Sequence, residues 1–345
     1  MSFRERIYFI SEHPNQDLTH GGIGPADIET ILIRNGCIPI RFPFHFDFSL
    51  KAKIGRFYHL VKLFFTIRSH SVVVFQHPLY ARINSLLLQI LRLRKSITVI
   101  CLVADIDGLK DGDNDLLEKE KRFFKNYEHF ILHNPNMEKW FRTFHPKAFF
   151  SFLTCFDFLT KKGTVARSKS KTIVFAGNLQ KSTFLNQLPI WFEKNDSLEL
   201  NLYGPHITDE MLKDRRVHYK GLHDPYALPD LLEGSFGLIW DGQGIDQTAG
   251  SLGNYMQYIT HHKLSLYLVS HLPVILYEKA GSAELVKQIG IGFTVNSLFE
   301  VEDKINKLSE EDYNRMVQNT YKLATEITSG KCFEKALDEL LKQKK

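Results

Sequence analysis

Residues 161–185 read KKGTVARSKSKTIVFAGNLQKSTFL. The first eleven, Lys161 to Lys171, are polar, basic and poor in the large apolar side chains that a core needs. The apolar, β-branched run TIVFA follows and ends on Gly177-Asn178. That pattern predicts a buried strand, a tight turn, and then a helix with Lys181 near its first turn. A strand that restarts after a polar linker marks a domain boundary. Before the linker, strands are predicted at RIYFI (Arg6 to Ile10), IPIRF (Ile38 to Phe42), VVVFQ (Val72 to Gln76), ITVICLVAD (Ile97 to Asp105) and HFILHN (His129 to Asn134). After it they are predicted at LELNLYG, FGLIWDG and LPVILYE, and the unit closes near Val295. Helical patterns lie between these runs, such as PADIETILIRNG with Pro25 at its start and Gly36 at its end. Strands that alternate with helices imply βαβ units and parallel sheets. The expectation is an α/β protein with one domain over 1–160, a second over 171–325, and a helical tail over 326–345.

The chain has 345 residues, of which 43% are apolar, enough for two domains each with its own core. Its formal charge of +5 is too mild to argue for nucleic acid by itself. Cys37, Cys101, Cys155 and Cys332 form no CxxC pair, and three sit in apolar stretches. Buried thiols in a reducing cytoplasm are the expectation. The apolar run in MSFRERIYFISEHP is too short for a signal peptide, and no 18-residue apolar stretch predicts a membrane span. Neither GxSxG nor a Walker A motif is present, which sets aside serine-hydrolase and P-loop chemistry. Among 15 histidines no HxH pair occurs, and the acidic run DIDGLKDGDNDLLEKE lacks EF-hand register, so no metal site is predicted.

Two windows carry candidate chemistry. In open α/β sheets, ligands bind beyond the carboxyl ends of the strands. Gly177 allows a phosphate to approach the backbone, and Asn178 and Lys181 flank it. The second window, GNYMQYITHHKLSLYLVSHLPVILYEKAGSAELVKQIGIGF (Gly253 to Phe293), predicts a helix carrying Tyr258, His262 and Lys263, then a buried strand, then a small-residue loop before Glu284. A carboxylate in that place can accept two hydrogen bonds from a ribose diol, and a Lys on the facing helix can hold a diphosphate. A surface cation and an ordinary first-turn acid explain the same two residues singly. In the first domain, Asp105 and Asp107 stand at the carboxyl end of a buried strand, and His77 follows VVVFQ. These are candidates for a general base. The glycines around Gly21 and Gly22, in the loop from Thr19 to Gly24, are placed to approach phosphates across a cleft.

The run YKGLHDPYALPDLLEGSFGLIWDG, followed by HHKLSLYL, LPVILYEKAGSAELV and IGIGF, resembles the bacterial family of β-1,6-galactofuranosyltransferases and adhesin glucosyltransferases. FQHPLY, VICLVADIDGLK and HFILHNPNM in the first half match it by pattern. The resemblance implies the GT-B fold, in which two Rossmann-like domains face each other across a cleft and the final helix crosses back to the first. It implies that the second domain binds a UDP-sugar, with Ser265 counted beside Lys263, and that the first binds a saccharide or lipid-linked saccharide. It further implies transfer of a hexosyl group, galactofuranose or glucose, with inversion, without a bound metal, in surface polysaccharide or glycoprotein synthesis. Asp105 matches the family's Asp. Ala104 stands where relatives carry a His, and His262 where one carries a Tyr. Two other readings are open: a catalytically silent nucleotide-sugar-binding subunit of a transferase complex, and a UDP-sugar epimerase of the same shape.

Charge is polarised. Between Arg41 and Ala104 ten Lys and Arg stand against a single acid, Asp47, a net +9. Within that stretch LKAKIGRFYHLVKLFFTIR is amphipathic at helical period, with Leu50, Ile54, Phe57, Val61 and Phe64 on one side and Lys51, Arg56, His59 and Lys62 opposite. It suits either a helix packed on the sheet with a solvated basic face, or a helix lying on the inner face of an anionic membrane. No RRM, KH or helix-turn-helix signature supports a nucleic-acid partner. A homo-oligomer is compatible with everything above.

Overall fold

The computed structural model describes residues 6–12, 22–43 and 47–343. Gly21, and most of the loop that contains it, lie outside them. The first domain begins with β1 (Ile7–Ile10), α1 (Ile23–Arg34), β2 (Ile38–Ile40), α2 (Leu50–Thr66), β3 (Val72–His77) and α3 (Arg82–Leu91). It continues with β4 (Thr98–Val103), α4 (Asp107–Asp111), α5 (Asn114–Phe124), β5 (His129–Leu132), α6 (Pro135–Arg142) and β6 (Phe149–Phe152). Its strands are parallel, in the order β2-β1-β3-β4-β5-β6. Parallel sheets need both faces covered, and the strands obey this. Val73 and Phe75 join one buried cluster, while Val72 and Val74, pointing the other way, join a second.

The second domain comprises β7 (Thr172–Ala176), α7 (Leu188–Lys194), β8 (Glu199–Tyr203), β9 (Val217–Gly221), α8 (Leu228–Leu231), β10 (Phe236–Ile239) and α9 (Gly250–Tyr255). α10 (His262–Val269), β11 (Val274–Tyr277), α11 (Ala283–Ile289), β12 (Gly292–Val295) and α12 (Val301–Lys307) complete it. The parallel order β12-β11-β10-β7-β8-β9 reverses direction between β7 and β10. The first sheet reverses between β1 and β3. Those reversals open the crevices where α/β sheets take ligands.

Three strands were not predicted from sequence: β6, β9 and β12. Each lies at an edge of its sheet. β9, VHYKG, buries only Val217, so it lacks the apolar run of a central strand. The helix predicted at Lys181 is absent. Residues 178–182 turn, a 3-10 segment spans Thr183–Gln187, and α7 begins at Leu188. Ser182 Oγ bonds the Asn178 carbonyl and Asn178 Oδ1 accepts from Lys181 N, a local turn that competes with a helix start.

Both domains share one continuous cluster through Leu153, Cys155, Phe156 and Phe158. On α1, Asp27 accepts from Leu159 N and from the Tyr226 hydroxyl, both at 2.9 Å, which ties the first domain to the linker and to the second domain. α13 (Glu310–Ser329) ends at Gly330, whose φ of 86° suits a residue without Cβ. The chain then reverses into α14 (Lys331–Gln343), which packs on β5 and β6. Buried Asp157 caps this helix, accepting from Cys332 N at 3.0 Å and Phe333 N at 2.7 Å.

Candidate active site

The second domain's crevice is built from the ends of β7 and β10. Gly204 (φ 134°) lies so close to the end of β7 that a Cβ there would stand 1.9 Å from the Gly177 carbonyl oxygen. A Cβ on Gly177 would in turn meet Lys263 Cε at 2.9 Å. Backbone and ammonium stem therefore touch with nothing between them. Lys263, in the first turn of α10, lies over the Phe175 ring at 4.3 Å and 3.3 Å from both carboxylate oxygens of Asp241. Asp241 follows β10 and also meets Ser182 Oγ at 3.2 Å and His261 Nε2 at 3.4 Å. Burial alone would raise the Asp241 carboxyl, but Lys263 and His261 outweigh it and hold the pKa at about 2. Lys263 is thus paired with a permanent carboxylate, with its ammonium beside Gly177.

Across the cleft stands the N-terminus of α1. Gly22 gives it no side-chain cap, and no acid occupies its first turn. The first amide groups of a helix then retain their capacity and partial charge for an anion. Gly24 packs against His262 so closely that a Cβ would fall 2.1 Å from its Cε1. His262 stacks on Phe156 with centroids 3.9 Å apart. Gly24, Gly177, Gly204, His223, His262 and Lys263 line a pocket between the domains.

Beside it, residues of the first domain meet the second domain directly. Asp105 Oδ1 accepts from the Tyr255 hydroxyl at 2.6 Å and from Ile106 N at 3.2 Å, and Oδ2 accepts from Lys110 Nζ at 2.5 Å. Lys110 also reaches Asp107. Burial would depress the Lys110 ammonium, but Asp105 and Asp107 outweigh it and push its pKa up. Tyr255 accepts from Ile106 N at 2.7 Å, so one residue of the second domain both donates to and braces the Asp105 loop. His133, at the end of β5, is 3% exposed and accepts from Thr260 N at 3.0 Å through Nδ1. Its proton therefore sits on Nε2 when the ring is neutral. Burial pushes its pKa down to about 4, against the pull of Asp105.

A pH dependence follows. The unfolded chain protonates this imidazole near 6.5 and the folded one only near 4. Stability is therefore fully present above pH 6.5 and is lost as pH falls through that window. Between pH 7 and 4.5 His133 is expected to remove roughly 2–3 kcal/mol of unfolding free energy. Urea midpoints of the native protein and His133→Gln at both pH values check this, and an equal acid loss in the two proteins refutes it.

The structure brings Gly177, Lys263, His262 and, from the start of α1, Ile23 and Gly24 into one pocket, with Gly22 the residue before that helix and Asp105 next to the pocket. Other predicted residues fall elsewhere. Lys181 is exposed, because the turn at 178–182 replaces the helix start that was to present it. Ser265 is buried, its Oγ donating to the Phe156 carbonyl at 2.6 Å, and it serves the domain contact. Tyr258 precedes α10 rather than lying on it. Tyr258 and Glu284 line a different groove, shared with Trp140 of α6. Glu284 is exposed and accepts from Gln288 Nε2 at 2.8 Å. His77 is buried against Phe123 and Phe124, 3.2 Å from Glu120, and faces the α5 side of the sheet. Glu120 accepts from the backbone N–H of Asp107 and Gly108, so this pair fixes the start of α4. Sequence reasoning missed Asp241, Tyr255, His261 and His133. Asp241 and His133 stand at strand ends in FGLIWDG and HFILHN, the signal already used for Asp105.

Family models for the glucosyltransferase 3-like C-terminal domain and N-terminal domain match residues 173–340 and 7–145. The chain belongs to the glucosyltransferase 3-like family. The β-1,6-galactofuranosyltransferase WbbI of Escherichia coli K12 is 26% identical over 286 residues, 80% of each chain. A glucosyltransferase 3 of Streptococcus parasanguinis is 22% identical over 257 residues, 73% of each. Among solved structures, HepE of Anabaena in complex with UDP has a TM-score of 0.61 at 12% identity, covering 97% of this chain and 100% of that one. The same protein with UDP-glucose gives 0.60 at 11% identity, covering 95% and 98%. At such identities the likeness is one of fold, and that fold is GT-B. The glucosyltransferase 3-like protein described here is thus a glycosyltransferase with two facing Rossmann-like domains.

Proposed function

We propose that the cleft moves a hexosyl group from a UDP-sugar to a saccharide hydroxyl with inversion at the anomeric carbon. The observation that carries this reading is the pairing of Lys263 at Gly177 with the uncapped start of α1 across the same pocket. A diphosphate between them meets an ammonium on one side and helix amides on the other. The acceptor oxygen attacks the anomeric carbon while the bond to the diphosphate breaks, leaving its electron pair on UDP. Lys263 and the α1 amides counter that developing charge, so the step runs without a bound metal. The acceptor proton passes to the Asp105 carboxylate, which first exchanges its bond from Lys110 or Tyr255 for one from the substrate. The named relatives are a galactofuranosyltransferase and a glucosyltransferase, which supports a hexose donor. We place the product in surface polysaccharide or glycoprotein synthesis.

UDP should raise the melting temperature, because it binds only the folded state. Calorimetry with UDP, followed by transfer assays with a panel of UDP-hexoses, tests the reading. Absence of both a thermal shift and binding heat at millimolar UDP overturns it. Binding without transfer to any saccharide favours a silent subunit.

A further inference from the structure

α2 is built inside out relative to an ordinary surface helix. Leu50, Ile54, Phe57, Tyr58, Val61 and Phe65 recur at helical spacing and form one stripe. That stripe faces away from the domain: Leu50 is 74% exposed, Phe57 62% and Phe65 76%. Only Ala52 and Leu60, from the opposite side, are buried. Packing on the sheet with a solvated basic face, one of the two arrangements the sequence allowed, is therefore not what the helix does. Phe48, just before the helix, and Leu93, on the adjoining turn, are also more than 70% exposed. Arg94 ties that turn to the end of α2 through the Phe64 and Ile67 carbonyls, each at 2.6 Å. The outcome is a contiguous apolar surface of a kind that proteins rarely leave in water.

We propose that this face docks on an anionic phospholipid surface. Lys51 and Lys62 flank the apolar stripe on one side and Lys53 on the other, all exposed. Among the described residues none of the three pairs with a carboxylate. Apolar side chains reaching between headgroups, edged by lysines at phosphate level, are the features of an interfacial helix. No helix among the described residues is long and apolar enough to cross a membrane, so the contact is peripheral. A second copy of the chain fits less well. Two such faces in a symmetric contact would set the lysines of both copies together in a desolvated boundary, with the surrounding +9 segment repelling itself. A headgroup layer supplies the missing negative charge.

The test is flotation of the full chain with phosphatidylcholine vesicles with and without phosphatidylglycerol. The protein is expected to float only with the anionic vesicles, and less at high salt. Charge reversal at Lys51, Lys53 and Lys62 to Glu should weaken partitioning on the order of 100-fold. Phe57→Ser with Phe65→Ser should also release the protein, without lowering its melting temperature, since both rings are in solvent. Sedimentation at equal concentration reports self-association. A protein that stays soluble with both vesicles, or floats equally after charge reversal, overturns the proposal. So does a dimer that the Phe57 and Phe65 changes dissolve while flotation is absent. UDP calorimetry on the same preparation is independent of these outcomes, so failure of the donor reading is distinguishable.

Discussion

Asp105→Asn is expected to lower the rate of sugar transfer by about 10²–10⁴, the usual cost of losing a general base. Its affinity for UDP should stay close to native. The amide keeps the shape of the side chain, and its Oδ1 still accepts from Tyr255 and Ile106, while Lys110 loses Oδ2 as an acceptor and turns to Asp107. What disappears is the site for the acceptor proton. UDP affinity is expected to be spared because the donor site proposed above is built from Lys263, Gly177 and the start of α1, not from Asp105. The measurement is transfer rate at saturating UDP-hexose beside calorimetric UDP affinity. Asp107→Asn and His77→Ala are the comparisons. Asp107 lacks the Tyr255 bond and keeps only the shared Lys110, so its loss should cost less. His77 lies behind the sheet's packed face beside Glu120, and its loss should act on stability more than on rate. A near-native rate for Asp105→Asn moves the base elsewhere. His133, in the same cluster and neutral above pH about 4, is then the next residue to change.

The sequence made the central strands and the order of the domains legible because parallel strands buried on both faces read as apolar runs. TIVFA, VVVFQ and TVICLV need no context to be recognised. β9 escaped because most of its surface is not core: VHYKG shows a single buried residue. Strand-end residues such as Gly177 and Asp105 could be placed at the cleft because the fold class itself says where the carboxyl ends of strands open a crevice. What sequence did not disclose was which side chains turn inward. Ser265 and Lys263 share a helix, yet two positions along, a rotation of about 200° sends one into the Phe156 contact and the other to the pocket. Likewise α2 reads as amphipathic in either orientation, and only its packing shows the apolar stripe facing out. Tyr255 and Thr260 act across the domain boundary, and no spacing in a single sequence encodes which residues meet there.

Lys263→Ala is expected to weaken UDP by roughly 10- to 150-fold, the loss of a charged hydrogen bond worth about 1.5–3 kcal/mol. Uridine, which lacks the diphosphate, should bind the variant almost as it binds the native protein. The contrast matters because removing Lys263 also strips Asp241 of its main counter-charge, leaving the carboxylate with His261 and Ser182. A carboxylate left uncompensated 3.2 Å from Ser182 Oγ would repel phosphate and add to the loss. Asp241→Asn separates the two effects. With the carboxylate gone, Lys263 keeps its place over Phe175 and beside Gly177 but no longer shares its charge. UDP affinity should then be retained or improved, so of the two substitutions only Lys263→Ala weakens UDP. Because the Asp241 carboxyl titrates only near 2, its charge is constant across the pH range of any binding experiment above about 4. Titrating the native protein, both single variants and the double variant with UDP and with uridine gives the coupling directly. Equal weakening of both ligands by Lys263→Ala would mean that the ammonium only braces the cleft. A loss of UDP affinity in Asp241→Asn would mean that the carboxylate is needed to aim Lys263, rather than merely to neutralise it.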